Sequence, residues 1–317
     1  MLLIVVGTGP MARDDSRMTL PHDIDWPRFD ALHDDAPAWR DVMHTIAQRH
    51  GGGSVEQVSD GSVLVARLGA ARMLKLYPPF LRDHFDFECA MLPLVHGRLA
   101  VPTPELLARG EFEGWPYLVM TKLVGEPLTA TWPAMNQAQR CTLLYALGAL
   151  AAQVHALAPG PLVALSPRWA DFIATQRSRC LARQQRNGLP AHLLAQLPDF
   201  IAGELPAGPD VALTGEYTPF NLFTIDHKLA AMFDFGDGLV GPREYDWLGP
   251  LCFLAAGDAE RVAAFMSGYG ERLDDTMRLK LLRLLLLHRY SNPPGQIKMP
   301  GWQQVESFEA AAAFIWP

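Results

Sequence analysis

Short runs of β-branched and aliphatic residues dominate residues 55–121, whereas long stretches with helical spacing follow from residue 137 onward. Ahead of both, apolar residues recur with helical spacing between Phe29 and Ile46, so one helix is predicted over 26–50, ending at three consecutive glycines. Five strands and one helix are predicted next, with the strands over 55–58, 63–66, 72–76, 101–107 and 117–121 and the helix over 85–95. Polar, glycine-containing turns join the first three strands, which indicates an antiparallel sheet.

The second half of the chain has a different character. Helices are predicted over 137–157, 170–186, 192–202 and within 259–316, and one strand-rich segment over 211–235 interrupts them. This order predicts an α+β protein with two lobes. We expect an N-terminal extension over 1–18, an antiparallel-sheet N-lobe over 19–122 and a mostly helical C-lobe over 123–317.

Composition excludes several classes of protein. The 317 residues are 49% hydrophobic and 19% charged, which is too apolar for a disordered chain. A net charge of −7 argues against a nucleic-acid partner, and the four widely spaced cysteines suit free thiols in a reducing cytosol. The apolar stretches at 1–6 and 279–287 are too short for a signal peptide or a membrane span, so the predicted location is cytoplasmic, with no membrane partner.

Three oxygen-bearing side chains flank one predicted β-hairpin in the strand-rich segment. Glu216 and Asn221 precede the hairpin and Asp234 follows it. Carboxylate and amide oxygens are the ligands that Mg²⁺ prefers alongside phosphates, and phosphoryl transfer needs an acid to orient the attacking hydroxyl. If the hairpin brings them together, Glu216 supplies such an acid, and Asn221 and Asp234 supply the metal ligands that phosphoryl transfer needs.

These residues resemble the catalytic and metal-binding loops of the aminoglycoside phosphotransferase and choline-kinase family, which has a two-lobed protein-kinase-like fold. Residues 214–221 have the spacing of the family pattern H-G-D-x-x-x-x-N. Residues 233–237 match the pattern I-D-[FW]-G-[DE] except at its first position, and residues 241–246 match G-x-x-x-x-D. The similarity within 234–246 is loosely closest to hygromycin-type kinases. It implies ATP or GTP and Mg²⁺ as cofactors, with a small-molecule hydroxyl as acceptor.

The resemblance also assigns residues outside the hairpin. It places Lys75 on the third strand, where the family has the lysine that contacts the phosphates, and Glu88 on the next helix as its partner. It implies that the backbone of Thr121, Lys122 and Leu123 holds the adenine, and that Asp246 is an architectural acid bracing the catalytic loop. His155 lies on an apolar helix and is interpreted as a core histidine.

The chain departs from the family pattern at the catalytic position, where Thr214 and Glu216 replace histidine and aspartate. Glutamate keeps the carboxylate but extends it by one methylene, and a displacement of about 1 Å can cost roughly 100-fold in rate. Two functions therefore remain open. One is an active small-molecule kinase, and the other is a nucleotide-binding pseudokinase with a regulatory role.

Charge suggests what the acceptor is. Residues 201–317 carry 15 acidic and 9 basic side chains, and an acidic cleft would attract an aminoglycoside-like antibiotic or another cationic metabolite. Candidate acceptor contacts are the acids of this region that the motifs do not use: Asp237, Asp258, Glu260, Glu271, Asp274 and Asp275. Four arginines at 177, 179, 183 and 186 fit a purely cationic ligand poorly. We expect a monomer or a weak dimer.

Overall fold

The computed structural model describes residues 20–58, 61–215 and 217–317. The predicted extension over 1–18 and the catalytic candidate Glu216 lie outside these residues, as does part of the turn after the first strand. The predicted sheet, the predicted helices and every other candidate site residue lie within them.

A five-stranded antiparallel sheet in the order β1-β2-β3-β5-β4 forms the N-terminal part. Its strands are β1 Val55–Val58, β2 Leu64–Leu68, β3 Arg72–Leu76, β4 Leu106–Phe112 and β5 Trp115–Thr121. The centre of the sheet aligns Val65 of β2, Lys75 of β3 and Leu118 of β5 in one row. Because side chains alternate across a strand, residues in one row share a face, so Lys75 lies on the same face as Val65 and Leu118.

The two faces of the sheet bury different partners. Leu74 and Leu76 of β3 belong to a core that includes Phe29, Trp39 and Ile46 from two N-terminal helices, α1 Trp26–Asp34 and α2 Ala36–Arg49. The opposite face, with Val65 and Leu118, joins the main core through helix α3 Arg82–Val95. Lys75 therefore points from the sheet toward α3 and the rest of the molecule rather than into the outer helical layer.

Two predicted elements were wrong in their limits. The helix predicted over 26–50 is two helices that separate at Asp35, whose ψ of 77° is not helical. Pro37 in the first turn of α2 suits a new helix start, because proline lacks the N–H that a helix interior needs. The strand predicted over 101–107 begins only at Leu106, because Pro102 and Pro104 cannot donate ladder hydrogen bonds.

The C-terminal part is mostly helical. Its helices are α4 Leu128–Thr131, α5 Gln137–His155, α6 Leu162–Leu165, α7 Trp169–Arg186, α8 Ala191–Ala202, α9 Glu244–Phe253, α10 Ala259–Tyr269, α11 Asp275–Leu287, α12 Pro293–Gln296 and α13 Phe308–Ile315. A capping box at Asn136 and Gln139 starts α5. Helix α10 crosses α5 so closely that a Cβ at Gly148 would lie 2.1 Å from the Phe265 carbonyl oxygen. No helix among the described residues has the length and apolar character to cross a bilayer.

Two small sheets connect this helical part to the strand-rich segment. Strands β6 Glu126–Pro127, β8 Leu222–Ile225 and β9 Lys228–Met232 form one, and β7 Asp210–Leu213 pairs with β10 Leu239–Pro242 in the other. Both are antiparallel. The β8–β9 hairpin confirms the hairpin predicted from the sequence. Together the two small sheets hold the loops over 214–221 and 233–238 next to each other.

Candidate active site

Lys75 lies at the centre of a three-residue ionic cluster. Its Nζ is 2.8 Å and 3.0 Å from the two carboxylate oxygens of Glu88 on α3, and 2.8 Å from Oδ1 of Asp234 in the loop after β9. The Lys75 side chain is 6% exposed, that of Glu88 is fully buried and that of Asp234 is 32% exposed. Glu88 therefore fixes the lysine from inside, while Asp234 contacts it from the open side.

The protonation of this cluster follows from its charges. Burial alone would lower the pKa of Lys75, but the carboxylates of Asp234 and Glu88 outweigh burial and raise the pKa above its ordinary value. Burial raises the pKa of Glu88, and the ammonium of Lys75 opposes that increase. Lys75 is a permanent cation over the physiological pH range.

Asp234 has a left-handed backbone, with φ at +67°. Residues other than glycine rarely adopt this conformation, and aspartate is among those that tolerate it. The conformation brings Oδ1 to the lysine of the N-terminal sheet. Oδ2 has no protein partner among the described residues, so one carboxylate oxygen is available on the partly exposed side.

Asn221 lies beside Asp234 through the hairpin backbone. Its carbonyl oxygen accepts a hydrogen bond of 3.1 Å from the N–H of Phe233, the residue before Asp234. Asn221 ends a 3₁₀ turn over Pro219–Asn221 and immediately precedes β8, and it is 5% exposed. The backbone of the hairpin therefore brings these two residues together, as the sequence predicts.

Asp246 at the start of α9 holds the loop that precedes position 216. Its Oδ2 accepts from the Thr214 N–H at 2.8 Å and from the Thr214 hydroxyl at 3.2 Å, while Oδ1 accepts from the Gly215 N–H at 2.8 Å. Nε2 of His155 also lies 3.1 Å from Oδ2. The carboxylate can only accept, so Nε2 carries a proton, and Nδ1 lies 2.8 Å from the Tyr269 hydroxyl oxygen.

Gly215 allows this loop to pass close to the loop after β9. Its φ is +74°, and a Cβ there would lie 2.3 Å from the Asp237 carbonyl oxygen. Only glycine satisfies both conditions without a backbone shift. Position 216 therefore follows a backbone segment fixed by Asp246 on one side and by Asp237 on the other.

The connection between the two parts of the molecule follows β5. The N–H of Lys122 donates to the Ala71 carbonyl at 2.8 Å, and the Thr121 hydroxyl accepts from the Glu105 N–H at 2.9 Å. The Lys122 N–H is thus already used within the sheet. A nucleotide base bound here would have to use other backbone groups of residues 121–123.

Five of the six acidic acceptor candidates make contacts that stabilise helices. Asp258 and Asp274 accept from the helix N-termini at Arg261 and Met277, and Asp275 pairs with Arg278. Glu260 accepts from Gln137, and Glu271 pairs with Arg243. The structure does not bring these five to the loops over 214–221 and 233–238.

Asp237, the sixth candidate, does lie at the site, but its carboxylate already has partners. Its Oδ1 accepts from the Tyr290 hydroxyl at 2.5 Å and lies 3.3 Å from Nδ1 of His84 and 3.6 Å from Nη1 of Arg289. His84 belongs to α3, whereas Arg289 and Tyr290 come after α11. Asp237 therefore links the N-terminal part to the C-terminal segment.

The contacts of Tyr77 and His155 at the site were not predicted from the sequence. The Tyr77 hydroxyl donates to Glu88 Oε2, so Tyr77 is a third buried residue beside Lys75 and Glu88 in the lysine cluster. Tyr77 stands two residues after Lys75, so the alternation of side chains along an extended chain places both on the same face, and this signal was available in the sequence. The second is the bond between His155 and Asp246, since these residues are 91 positions apart.

The donor set fits a magnesium–nucleotide complex. Within the described ranges no group of three or more histidine, cysteine, aspartate or glutamate side chains forms a metal cage. Mg²⁺ characteristically takes one or two protein oxygens and completes its shell with water and phosphate. Asp234, with one carboxylate oxygen available, and the neighbouring Asn221 match that requirement.

Comparisons with known proteins identify the family and the fold. Residues 55–282 match the family model described as the phosphotransferase enzyme family. Among curated proteins, no sequence matches. Many solved structures are similar to this chain, and three of them, all at low sequence identity, support the fold alone.

The GDP and kanamycin complex of APH(2")-IIia is 17% identical with a TM-score of 0.62, over 78% of this chain and 89% of that chain. The streptomycin-ATP-APH(2")-IIa ternary complex is 15% identical with a TM-score of 0.59, over 77% and 89% respectively. The macrolide 2'-phosphotransferase MphH from Brachybacterium faecium is 19% identical with a TM-score of 0.56, over 82% and 98%. With its family match over more than half its length and the two-lobed protein-kinase-like fold, the chain belongs to the phosphotransferase enzyme family.

Proposed function

We propose that this protein transfers the γ-phosphoryl group of ATP or GTP to a hydroxyl group of a small molecule. The observation that carries the proposal is the Lys75 ammonium, held 2.8 Å from both Glu88 and Asp234. A fixed cation between the sheet and the loop after β9 is the element that phosphate binding requires. The family match supports the same reaction class.

Each residue has a stated part in the proposed reaction. Lys75 binds the α- and β-phosphates, and Glu88 orients it. The backbone over 121–123 binds the base, and Asn221 and Asp234 hold Mg²⁺, which neutralises phosphate charge during transfer. Glu216 orients the acceptor hydroxyl and accepts its proton, while Asp246 fixes the backbone that carries Glu216.

One observation favours a second function. The replacement of the family's histidine and aspartate by Thr214 and Glu216 would suit a pseudokinase that binds nucleotide without transferring phosphate. The other residues of the site argue for activity, because the lysine cluster and the hydrogen bonds of Asp246 are both formed. A regulator that only bound nucleotide would not need the loop before position 216 to be fixed.

Mass spectrometry of the reaction products separates the two functions. The full-length protein would be incubated with ATP or GTP, Mg²⁺ and a panel of aminoglycosides, macrolides and amino alcohols. A phosphorylated acceptor that requires Mg²⁺ and is lost in Asp234→Asn supports the kinase. Nucleotide binding by calorimetry without any phosphorylated acceptor would support the pseudokinase instead.

A further inference from the structure

A second polar cluster, centred on Asp237, joins helix α3 to the segment after α11. Oδ1 of Asp237 accepts from the Tyr290 hydroxyl at 2.5 Å and lies 3.6 Å from Nη1 of Arg289. The same oxygen lies 3.3 Å from Nδ1 of His84 on α3. The side chains of His84, Asp237 and Arg289 are 19%, 16% and 20% exposed, so water screens these contacts only in part. We call these four side chains the Asp237 latch.

The face of α3 that carries His84 also carries Glu88, which lies one helical turn later. The loop after β9 touches this face. A Cβ at Gly236 would lie 3.5 Å from Cβ of His84 and 3.7 Å from Oε2 of Glu88, both ordinary contact distances. The latch therefore acts on the same helix face as the lysine cluster, at a point where α3 lies directly against the loop that carries Asp237.

The beginning of α3 has no side-chain cap. Leu81 at the N-cap position makes no side-chain hydrogen bond to the first turn, and an uncapped helix end opens more easily than the helix interior. Arg82 pairs with Glu111 of β4, which ties this turn to the N-terminal sheet. The contact of His84 with Asp237 ties the same turn to the loop after β9, and through that loop to the C-terminal part.

The C-terminal end of the latch is held by two helices. The guanidinium of Arg289 lies over the ring of Phe172 on α7, with its carbon 5.6 Å from the ring centre. The N–H of Arg289 donates to the Tyr245 hydroxyl of α9 at 3.3 Å, and its carbonyl accepts from Nη1 of Arg183 on α7 at 3.3 Å. Arg289 is thus fixed to the helical part on both its backbone and its side chain.

We propose that the Asp237 latch holds α3 against the loop after β9 and so keeps Glu88 within hydrogen-bonding distance of Lys75. Residues 289–290 thereby set the affinity of the protein for its nucleotide. A shift of α3 by about 1 Å would stretch the 2.8 Å contact between Glu88 and Lys75 beyond hydrogen-bonding range. The latch side chains are positioning residues, which act on the lysine through α3. Because Lys75 is taken as the phosphate contact, this step rests on the proposed function.

Hydrogen exchange of the full-length protein without nucleotide tests whether the latch holds α3. Tyr290→Phe removes only a hydroxyl, and His84→Leu removes the ring nitrogens while keeping an apolar side chain. Each should speed exchange of the backbone amides over 86–90 about fivefold, the lower end of typical coupling between two sites. Unchanged exchange in both variants would overturn the latch.

Calorimetry with Mg²⁺ and a non-hydrolysable analogue of ATP or GTP, whichever the parent binds more tightly, tests the link to the nucleotide. Tyr290→Phe and His84→Leu should each raise the Kd about fivefold. Because both act through one carboxylate, the double variant should stay near fivefold, whereas independent effects would multiply to about 25-fold. Faster exchange of α3 with a parental Kd, or a double variant at about 25-fold, would refute the coupling.

Two further variants separate positioning from a general loss of stability. His84→Asn keeps a nitrogen donor at the place of Nδ1, because both nitrogens are bonded to Cγ, and should retain the parental Kd. Tyr145→Phe removes the hydroxyl of a tyrosine on α5 that is 55% exposed, close to the 49% of Tyr290, and should change neither measurement. A Kd for His84→Asn as weak as that for His84→Leu would contradict the role given to Nδ1.

The two measurements distinguish failure of the latch from failure of the proposed function. A parent that binds no nucleotide would refute the proposed function and the link to nucleotide affinity, while exchange of α3 would still decide whether the latch holds the helix. Nucleotide binding and a phosphorylated acceptor in the parent, with unchanged exchange of α3 in both variants, would leave the kinase standing and refute the latch.

Discussion

Replacing Lys75 with methionine tests the ionic cluster most directly, because it keeps the aliphatic stem and removes only the ammonium. Lys75 makes three contacts of 2.8–3.0 Å with Glu88 and Asp234, and its loss leaves Glu88 fully buried without a cation. Breaking a buried ion pair from one side typically costs about 3–5 kcal/mol of stability. Turnover should also fall by about two orders of magnitude, the scale on which one fixed charge contact acts.

The pH limits how large the stability loss can be. Glu88 becomes neutral when it takes up a proton. The stability lost because Glu88 has no cation beside it therefore cannot exceed the free energy of that protonation. With an ordinary pKa of 4.5, protonation costs about 3.4 kcal/mol at pH 7 and about 1.4 kcal/mol at pH 5.5, at about 1.36 kcal/mol per pH unit. An acid whose folded pKa is raised is stabilised when protonated, so the variant loses stability as the pH rises above 4.5.

Urea unfolding at pH 5.5 and pH 7 measures this dependence. The free energy of unfolding of Lys75→Met is expected to lie below that of the parent, and this difference should be larger at pH 7 than at pH 5.5 by up to about 2 kcal/mol. The double variant Lys75→Met with Glu88→Gln should recover stability and lose the pH dependence, yet remain as inactive as the single variant. A deficit that is equal at both pH values, or a double variant no more stable than the single one, would refute the assignment of the penalty to Glu88.

Three further outcomes are expected from the loops around position 216. Asp234→Asn and Asn221→Ala should each abolish Mg²⁺-dependent turnover in a protein that still unfolds cooperatively in urea, and near-normal turnover in either folded variant would remove that residue from the metal site. Glu216→Gln should lose most phosphate transfer while calorimetry shows parental nucleotide affinity, whereas parental transfer would exclude Glu216 as the base. Gly215→Ala should lower the free energy of unfolding by about 1–3 kcal/mol, because its Cβ would collide with the Asp237 carbonyl; a parental urea curve would contradict this reasoning.

Sequence patterns predicted those parts of the site that lie within a single strand or a single hairpin. The alternation along β3 and the short hairpin identified the strand of Lys75 and the closeness of Asn221 to Asp234. Both are consequences of the two-residue period of a strand and the short reach of a hairpin turn. The ion pair between Lys75 and Glu88 was expected only from the family resemblance, and the geometry agrees with it.

Contacts between distant parts of the chain were beyond such patterns. The bond from Lys75 to Asp234 joins residues 159 positions apart, and the one between His155 and Asp246 spans 91. Charge counting has a related physical limit. A sum over 201–317 cannot tell a helix cap such as Asp274 from an acid that faces a cleft, because both contribute equally to net charge.

Charge balance within the site also explains why a metal belongs to the proposed mechanism. Lys75, Glu88 and Asp234 sum to one net negative charge, and both carboxylates lie within hydrogen-bonding distance of one ammonium. A nucleoside triphosphate adds several negative charges next to Asp234, so repulsion at short range opposes its binding. Lys75 cannot compensate both carboxylates and the phosphates. A divalent cation held by Asp234 would remove the deficit, and for that reason nucleotide and Mg²⁺ should each strengthen the binding of the other.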